Sequence, residues 1–322
     1  MRMPTALLAM VLVLAAGTAP AIGQPAYPER AVEMIVTFPP GGPTDTAARL
    51  VQPALSAQLK VPVVLVNKGG GGGVTGMDFV AKAKPDGYTI AATVRSTLSI
   101  TPAVQANVPY RLKDFEVIGS YASSPQAIVV KRGAPWRTLE ELVEEAKKNP
   151  GKLSYGSAGQ GTNSFFTMEL LKMARGIDVT HVPFGGSGPL KNAILGGHVA
   201  IGSVSLSTMI PVIRSGDVVG LVISGDRRNA AVPDVPTMAE KGVAEASLST
   251  VMELYAPAGT PRPVVDRLVQ ALATVMKGPD TVTALDKAGL EVYHKPPDVS
   301  RREVEREYEA VLTAAKKLGL AK

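Results

Sequence analysis

The sequence predicts an α/β protein whose sheets carry helices on both faces, and three observations lead to this fold class. The chain has 322 residues, which suits two domains of ordinary size. Its composition, 45% hydrophobic and 19% charged, is that of a globular protein and excludes collagen-like, low-complexity and coiled-coil chains. Short β-branched runs alternate with amphipathic helical runs between residues 31 and 224, a spacing typical of mainly parallel sheets.

The N-terminus has the pattern of a secretory signal peptide. Arg2 is followed by an apolar run over residues 6–16 and then by Ala19, Ala21 and Gly23 at small-residue spacing. The run is shorter than the roughly 20 residues that a membrane-spanning helix needs. We therefore expect residues 1–23 to be removed and the mature protein to be exported to the periplasm.

Strands and helices alternate in the first part of the predicted mature chain. Runs rich in Val, Ile and Tyr predict strands, and apolar residues at helical spacing predict helices. Thr44 precedes the first helical run and is expected to cap it, while Pro53 is expected to kink that helix or end its first half. The predicted elements are a strand over 31–38, a helix over 44–59, a strand over 61–66, a helix over 74–84 and a strand over 88–93.

The same alternation continues in the middle of the chain. Thr138 and Glu141 have the spacing of a capping box and mark the start of a helix. The predicted elements are strands over 127–130, 153–157, 179–182, 199–204 and 218–224, with helices over 138–148, 162–174, 189–195 and 207–215.

Charge and residue types exclude several classes of function. The net charge is +6, but 34 basic residues are interleaved with 28 acidic ones, so no basic stripe predicts nucleic-acid binding. The chain has no cysteine, which removes disulfides, thiol catalysis, iron–sulfur clusters and structural zinc. Its three histidines, His181, His198 and His294, are far apart and are expected on the surface or in loops. We therefore expect no metal and no other cofactor.

Three glycine-containing loops each connect a predicted strand to a predicted helix. We call them loop one (residues 39–45), loop two (156–162) and loop three (184–189). Glycine lets the backbone approach a ligand closely, and a helix N-terminus offers unpaired N–H donors with a partial positive charge. Any one loop could be a plain tight turn. Three of them in the same topological position favour a shared anion site at the carboxyl ends of the strands.

Two enzyme classes compete with a binding function. Gly71, Gly73 and Gly76 satisfy the GxGxxG spacing of dinucleotide-binding proteins, and Arg95 could meet a 2′-phosphate, although a five-glycine run satisfies such patterns easily. Loop two imitates a phosphate-binding loop but lacks the lysine before Thr162. The chain has no GxSxG elbow, and its histidines are not adjacent in sequence to an evident serine nucleophile, which argues against a hydrolase.

Ordered motifs along the mature chain carry a family resemblance. They are Tyr27-Pro28, FPPGGPTDTAAR (38–49), PDGYT (85–89), NPGKLSYGSAGQGT (149–162), HVPFGGSGP (181–189), GGHV (196–199), PDVPTMAEKG (233–242) and YAPAGTP (255–261). Together they closely resemble the tripartite tricarboxylate transporter substrate-binding proteins, the Bug or TctC family.

The resemblance implies a periplasmic solute receptor without catalytic activity. Its expected fold is a type II-like periplasmic binding protein, a Venus flytrap of two α/β lobes that close on a small carboxylate, di-, tri- or aromatic. The expected partners are that carboxylate and the membrane permease subunits of a tripartite tricarboxylate transporter, and we expect a monomer. An exported enzyme acting on a small carboxylate and a structural envelope protein remain the alternatives.

The two lobes and their cleft follow from where the chain is expected to cross. Crossings near residues 121–124 and 224–227 give lobe one as residues 24–122 plus 226–322 and lobe two as residues 123–225. The expected ligand contacts are Phe38, Gly41, Gly42, Thr44, Asp45 and Ser96 in lobe one, and Ser157, Gly159, Gly161, Thr162, Phe184, Gly185, Ser203 and Ser205 in lobe two.

Lobe two departs from the family pattern at several positions. Phe184-Gly185-Gly186 stands where relatives commonly have Tyr-Lys-Gly, Phe165 where a histidine often follows loop two, and Val204 or Ala200 near a position that is acidic in many relatives. These changes predict a less polar cleft, which disfavours amino acids as ligands and favours an aromatic or longer apolar carboxylate.

Overall fold

The computed structural model describes residues 27–320, and the predicted signal peptide lies outside the described residues. The strands are β1 (Val32–Val36), β2 (Val63–Asn67), β3 (Thr89–Val94), β4 (Phe115–Lys131), β5 (Ser154–Ser157), β6 (Thr180–Pro183), β7 (Ile201–Ser205), β8 (Val218–Ile223), β9 (Ser249–Pro257) and β10 (Glu291–Lys295). The α-helices are α1 (Pro43–Leu59), α2 (Val74–Ala81), α3 (Thr101–Val104), α4 (Leu139–Lys148), α5 (Asn163–Arg175), α6 (Ser187–Gly196), α7 (Leu206–Arg214), α8 (Arg262–Val275), α9 (Pro279–Lys287) and α10 (Pro297–Lys317).

The strands form two sheets, and both are mixed rather than mainly parallel. In sheet one, β1 pairs in parallel with β2 and β3, whereas the pairs β3–β9, β4–β9 and β4–β10 are antiparallel. In sheet two, β5 pairs in parallel with β6 and β7, whereas β4 pairs antiparallel with β7 and β8. The α/β class is confirmed.

One long strand, β4, belongs to both sheets. It has 17 residues, of which the part up to Pro125 pairs with β9 in sheet one and the part from Gln126 pairs with β7 and β8 in sheet two. The sequence predicted only its last part, because small residues interrupt the apolar pattern before it. One of them, Gly119, is required by close packing, since a Cβ there would lie 2.8 Å from the carbonyl oxygen of Lys295.

Helix α1 corrects one expectation, the position of its N-terminal cap. Its N-cap is Gly42, in an extended conformation, so Thr44 lies inside the first turn and does not cap the helix. Pro43 occupies the first helical position, where its missing N–H costs nothing. The helix also continues past Pro53 to Leu59. Pro53 is exposed, so the carbonyl that loses its hydrogen bond can be hydrated.

Separate apolar cores lie against the two sheets. One contains Val36, Val51 and Leu272, from β1, α1 and α8, and another contains Tyr155 and Leu171, from β5 and α5. Helix α10 contacts both sheets, because Val304 packs in a core with β3 and β9, while Val311 and Ala315 pack with Tyr155. Over residues 27–320 no helix has the length and apolarity to cross a bilayer.

Candidate functional site

The three glycine-containing loops meet above the ends of the strands that precede them. Loop one follows β1 in sheet one, whereas loops two and three follow β5 and β6 in sheet two. A Cβ on Gly188 would lie 2.9 Å from the carbonyl oxygen of Pro40, and one on Gly159 would lie 3.4 Å from the Cα atom of Gly72. The loops of the two sheets are therefore in direct contact and enclose the space between them.

That space is a cavity of about 390 Å³ when its open mouth and all the gaps between its lining atoms are included. We call Val94, Ser96, Gln126 and Thr250, from the β3 end, β4 and β9, the floor. The walls are loop one with Phe38 and the starts of α5 and α6. Among the described residues that line the cavity, none is an Asp, Glu, Lys, Arg or His. The lining residues that the sequence predicted are Phe38, Gly42, Thr44, Ser96 and Thr162.

Loop one is positioned by Asp45 rather than by the ligand. The Asp45 carboxylate accepts hydrogen bonds from the Gly41 N–H, Arg49 Nε and Asn67 Nδ2, at 2.9 to 3.1 Å. Burial alone would raise the pKa of Asp45, but these bonds hold it below its usual value. Asp45 and Gly41, with its left-handed φ of 84°, do not line the cavity. Because Gly42 has no side chain, the N–H groups of the first turn of α1 have no side-chain cap.

Loop two presents the N-terminus of α5 to the same cavity. The Thr162 hydroxyl caps this helix, because it accepts a hydrogen bond from the Phe165 N–H at 3.4 Å. It also donates to the carbonyl oxygen of Gly159 at 2.7 Å and contacts the Ser164 hydroxyl at 2.9 Å. These partners hold the loop in place. The remaining N–H groups of the first turn are the donors available to a ligand.

Ser157 forms a pair with His181 that sequence reasoning missed. Ser157 Oγ lies 2.7 Å from His181 Nε2, because the parallel register of β5 and β6 puts Tyr155 opposite His181, and Ser157 follows two residues later on the same face of the sheet. His181 is therefore half-buried on a strand, with its pKa lowered by burial, and is not a loop histidine. The Ser157 hydroxyl is fully buried, accepts the Gly159 N–H and does not line the cavity.

The other predicted contacts lie around the cavity rather than on it. The Ser203 hydroxyl donates to the carbonyl oxygen of Ser164, and the Ser205 hydroxyl donates to Ser124 Oγ, so both support the site from behind. Gly161 accepts a hydrogen bond from Thr101 Oγ1 at 2.9 Å. Gly159, Phe184 and Gly185 line a separate, more open depression.

The polar cavity residues that sequence reasoning missed fall into two groups. Asn163 and Ser164 directly follow loop two, and Ser187 lies in loop three, so including the first helical turn in each loop would have found them. Gln126 and Thr250 lie on long strands and belong to no motif.

The structure leaves no room for the dinucleotide alternative. A Cβ on Gly72 would lie 2.8 Å from the carbonyl oxygen of Gln160, so loop two fills the space that a pyrophosphate would need. The Arg95 guanidinium is buried and bonded to Glu253 at 2.9 Å and Glu303 at 2.6 Å. It is therefore not available to a phosphate. The described residues also contain no cluster of His, Cys, Asp or Glu that could hold a metal ion.

A family model described as "Tripartite tricarboxylate transporter family receptor" matches residues 47–311. The chain belongs to this family. Solved structures with the same fold include the periplasmic binding protein BugD, at 34% identity and a TM-score of 0.87, a match that covers 92% of this chain and all (100%) of BugD. The predicted resemblance to the Bug and TctC proteins is thereby confirmed.

Two further structures of this fold carry ligands. MatC from Rhodopseudomonas palustris, solved with bound malate, is 30% identical, with a TM-score of 0.82 over 88% of this chain and 100% of MatC. A second R. palustris protein, solved with adipate, is 28% identical, with a TM-score of 0.87 over 92% of this chain and 99% of that protein. The chain is thus a solute-binding protein of a family whose members are periplasmic binding proteins.

Proposed function

We propose that this protein captures a small carboxylate between its two lobes in the periplasm and delivers it to the membrane permease of a tripartite tricarboxylate transporter. One observation carries the proposal: the N-termini of α1 and α5, which follow strands of different sheets, face one cavity without any ionisable side chain among its described lining residues. Backbone N–H groups and helix dipoles then supply the attraction for the anion. The malate and adipate held by two relatives are small carboxylates.

The helix termini alone do not account for tight binding. Each contributes about 0.3 to 1 kcal/mol at an exposed site, whereas micromolar affinity requires about 8 kcal/mol. Exclusion of water when the loops close, together with several hydrogen bonds, supplies the remainder. This requirement favours a ligand that contacts both lobes at once.

Closure is proposed to occur between lobe one (24–122 plus 226–322) and lobe two (123–225). The passage of β4 from one sheet to the other at residues 125–126 supports a crossing there. The last turns of α10 pack against the lobe-two core, so this helix would connect the lobes. Small-angle scattering should show a smaller radius of gyration at saturating ligand. An unchanged radius would mean that the pocket is rigid.

A thermal-shift screen of the mature protein against mono-, di- and tricarboxylates, aromatic ones included, tests the proposed function. A ligand present at 100 times its Kd adds about 2.7 kcal/mol to the free energy of unfolding, which raises the melting temperature measurably. We expect stabilisation by at least one small carboxylate. If no carboxylate stabilises the protein, the receptor function is wrong.

The Ser157–His181 pair favours one alternative, an exported enzyme acting on a small carboxylate. A hydroxyl 2.7 Å from an imidazole nitrogen has the geometry of a nucleophile and its base, but the Ser157 hydroxyl is buried and does not line the cavity, so the pair gives this alternative only weak support. Prolonged incubation with a bound carboxylate distinguishes the two functions, because a receptor returns the ligand in full. Consumption of ligand by the parent protein but not by a Ser157→Ala variant would establish the enzyme.

A further inference from the structure

The floor of the cavity contains two buried polar atoms that have no hydrogen-bond partner within residues 27–320. They are the Ser96 hydroxyl oxygen and Gln126 Oε1, and each residue is 1% exposed. Leaving such an atom unpaired is costly, and folded proteins satisfy nearly all of them with protein, water or ligand. Because both residues line the cavity, a bound molecule is the natural partner.

Strand β9 lies between the strands that carry or precede these two residues, since Ser96 follows β3 and Gln126 lies on β4. The order β3-β9-β4 puts β9 in the middle, with Val94 opposite Met252 and Ser124 opposite Thr250. Gln126 Nε2 donates to Thr250 Oγ1, which orients the side-chain amide and leaves Oε1 as its free acceptor. The floor therefore offers the acceptor Oε1 beside the Ser96 hydroxyl, which can donate or accept, and it also contains the Thr250 hydroxyl and the second N–H of the Gln126 amide.

No positive charge supports an anion at this floor. The nearest cation in sequence, Arg95, is neutralised by Glu253 and Glu303. A second ligand carboxylate placed there would lose its water, meet the acceptor Oε1 and find no countercharge. A neutral group loses much less on burial and can satisfy both floor atoms at once.

We propose that the ligand carries a single ionised carboxylate, held by the helix N-termini, and at its other end a neutral group that both donates and accepts a hydrogen bond. A primary amide or a hydroxyl has this chemistry: it donates to Gln126 Oε1 and accepts from the Ser96 hydroxyl. The inference rests on the proposed function and narrows its ligand class, in contrast to the dicarboxylates seen in two relatives.

Diacids and their monoamides, which differ by one charge at nearly equal size, provide the test. Isothermal titration at neutral pH would compare succinate with succinamate, glutarate with glutaramate, and adipate with adipamate. In the chain length that binds best, we expect the monoamide to bind at least about tenfold more tightly than the diacid. Butyrate, which lacks the polar end, should bind more weakly than succinamate.

The other outcomes are distinguishable from failure of the proposed function. If a diacid binds as tightly as its monoamide or more tightly, the inference is overturned while carboxylate capture stands. If no member of the pairs binds, the inference is also overturned, and the thermal-shift screen then decides whether the receptor function falls with it.

Single substitutions test the floor atoms directly. Ser96→Ala should weaken binding of the best monoamide about five- to tenfold. Gln126→Met should abolish the preference for monoamide over diacid. Thr167→Val is the matched control, because the Thr167 hydroxyl is also buried and unpartnered among the described residues but does not line the cavity. Its binding constants should equal those of the parent, and an equal loss in Ser96→Ala and Thr167→Val would contradict the assignment.

Discussion

The contact between Gly188 and loop one gives a direct test of closure. Gly188 lies in the first turn of α6 and directly precedes Pro189, whose ring disfavours the helical conformation for a preceding residue that has a Cβ. Its added Cβ would lie 2.9 Å from the Pro40 carbonyl oxygen and 3.2 Å from the Gly41 carbonyl carbon. Gly188→Ala therefore obstructs the approach of lobe two to loop one, and it also strains the first turn of α6 before Pro189.

The size of the effect follows from these distances. Carbon–oxygen contacts are comfortable at about 3.3 to 3.6 Å, so loop one would have to withdraw by about 0.5 Å. Overpacking of this kind costs about 1 to 3 kcal/mol, which corresponds to a loss of affinity of roughly 5- to 150-fold. The free energy of unfolding of the ligand-free protein should fall modestly through the strain before Pro189, which is present with and without ligand and so leaves the affinity unchanged.

Titration calorimetry with the carboxylate identified by the screen measures the affinity, and thermal unfolding without ligand measures the stability. Asn192→Ala serves as the control, because Asn192 lies exposed on the same helix and its replacement should change neither quantity beyond a small helix-propensity effect. An unchanged affinity in Gly188→Ala would refute the closed arrangement of the loops.

Three further substitutions address loop two, loop one and the buried charges. Thr162→Ala should lower the free energy of unfolding by about 0.5 to 2 kcal/mol and leave the affinity for ligand nearly intact, and Thr162→Ser should restore the stability. A loss of affinity above about tenfold would instead mean that the Thr162 hydroxyl contacts the ligand. The pKa of Asp45 is lowered, so its ion pair with Arg49 stabilises the fold above the ordinary pKa near 4, and this stabilisation is lost in acid. Asp45→Asn should therefore lower the free energy of unfolding, measured with denaturant, by a large amount at pH 7 and by less at pH 3. Burial raises the pKa of Glu307 to about 7, so the folded protein keeps this carboxyl protonated at pH values where the unfolded chain loses the proton. The free energy of unfolding of the parent should therefore fall as pH rises from about 4.5 to 7. Glu307→Gln should gain stability relative to the parent over that range, and a constant difference would contradict this.

Local signals in the sequence were sufficient for the elements that depend on local chemistry. The capping box of Thr138 and Glu141 forms as expected, with the Thr138 hydroxyl accepting from the Glu141 N–H. The three loops also lie where the alternation of strands and helices puts them. Such features are readable because particular residue types are needed within a few positions of each other.

Features that depend on distant partners could not be read in this way. The pairing of Ser157 with His181 requires the register of β5 and β6, and the long strand β4 is obscured by small residues that make room for β10. The cap of α1 was placed on Thr44 because threonine is a good cap in general. The first helical position at Pro43, however, makes Gly42 the cap.

The proposed site explains why family motifs identify the class of ligand but not the individual ligand. Its walls bind through backbone N–H groups, which need glycine and a helix start, and these leave a recognisable pattern in the sequence. Its floor is proposed to bind through Ser96, which follows β3, and Gln126, which lies on β4, and no spacing in the sequence links the two. The walls provide affinity for a carboxylate, a group shared by many solutes. Selection among those solutes then depends on the few floor atoms, and a single exchange there can change the preferred ligand without disturbing any motif.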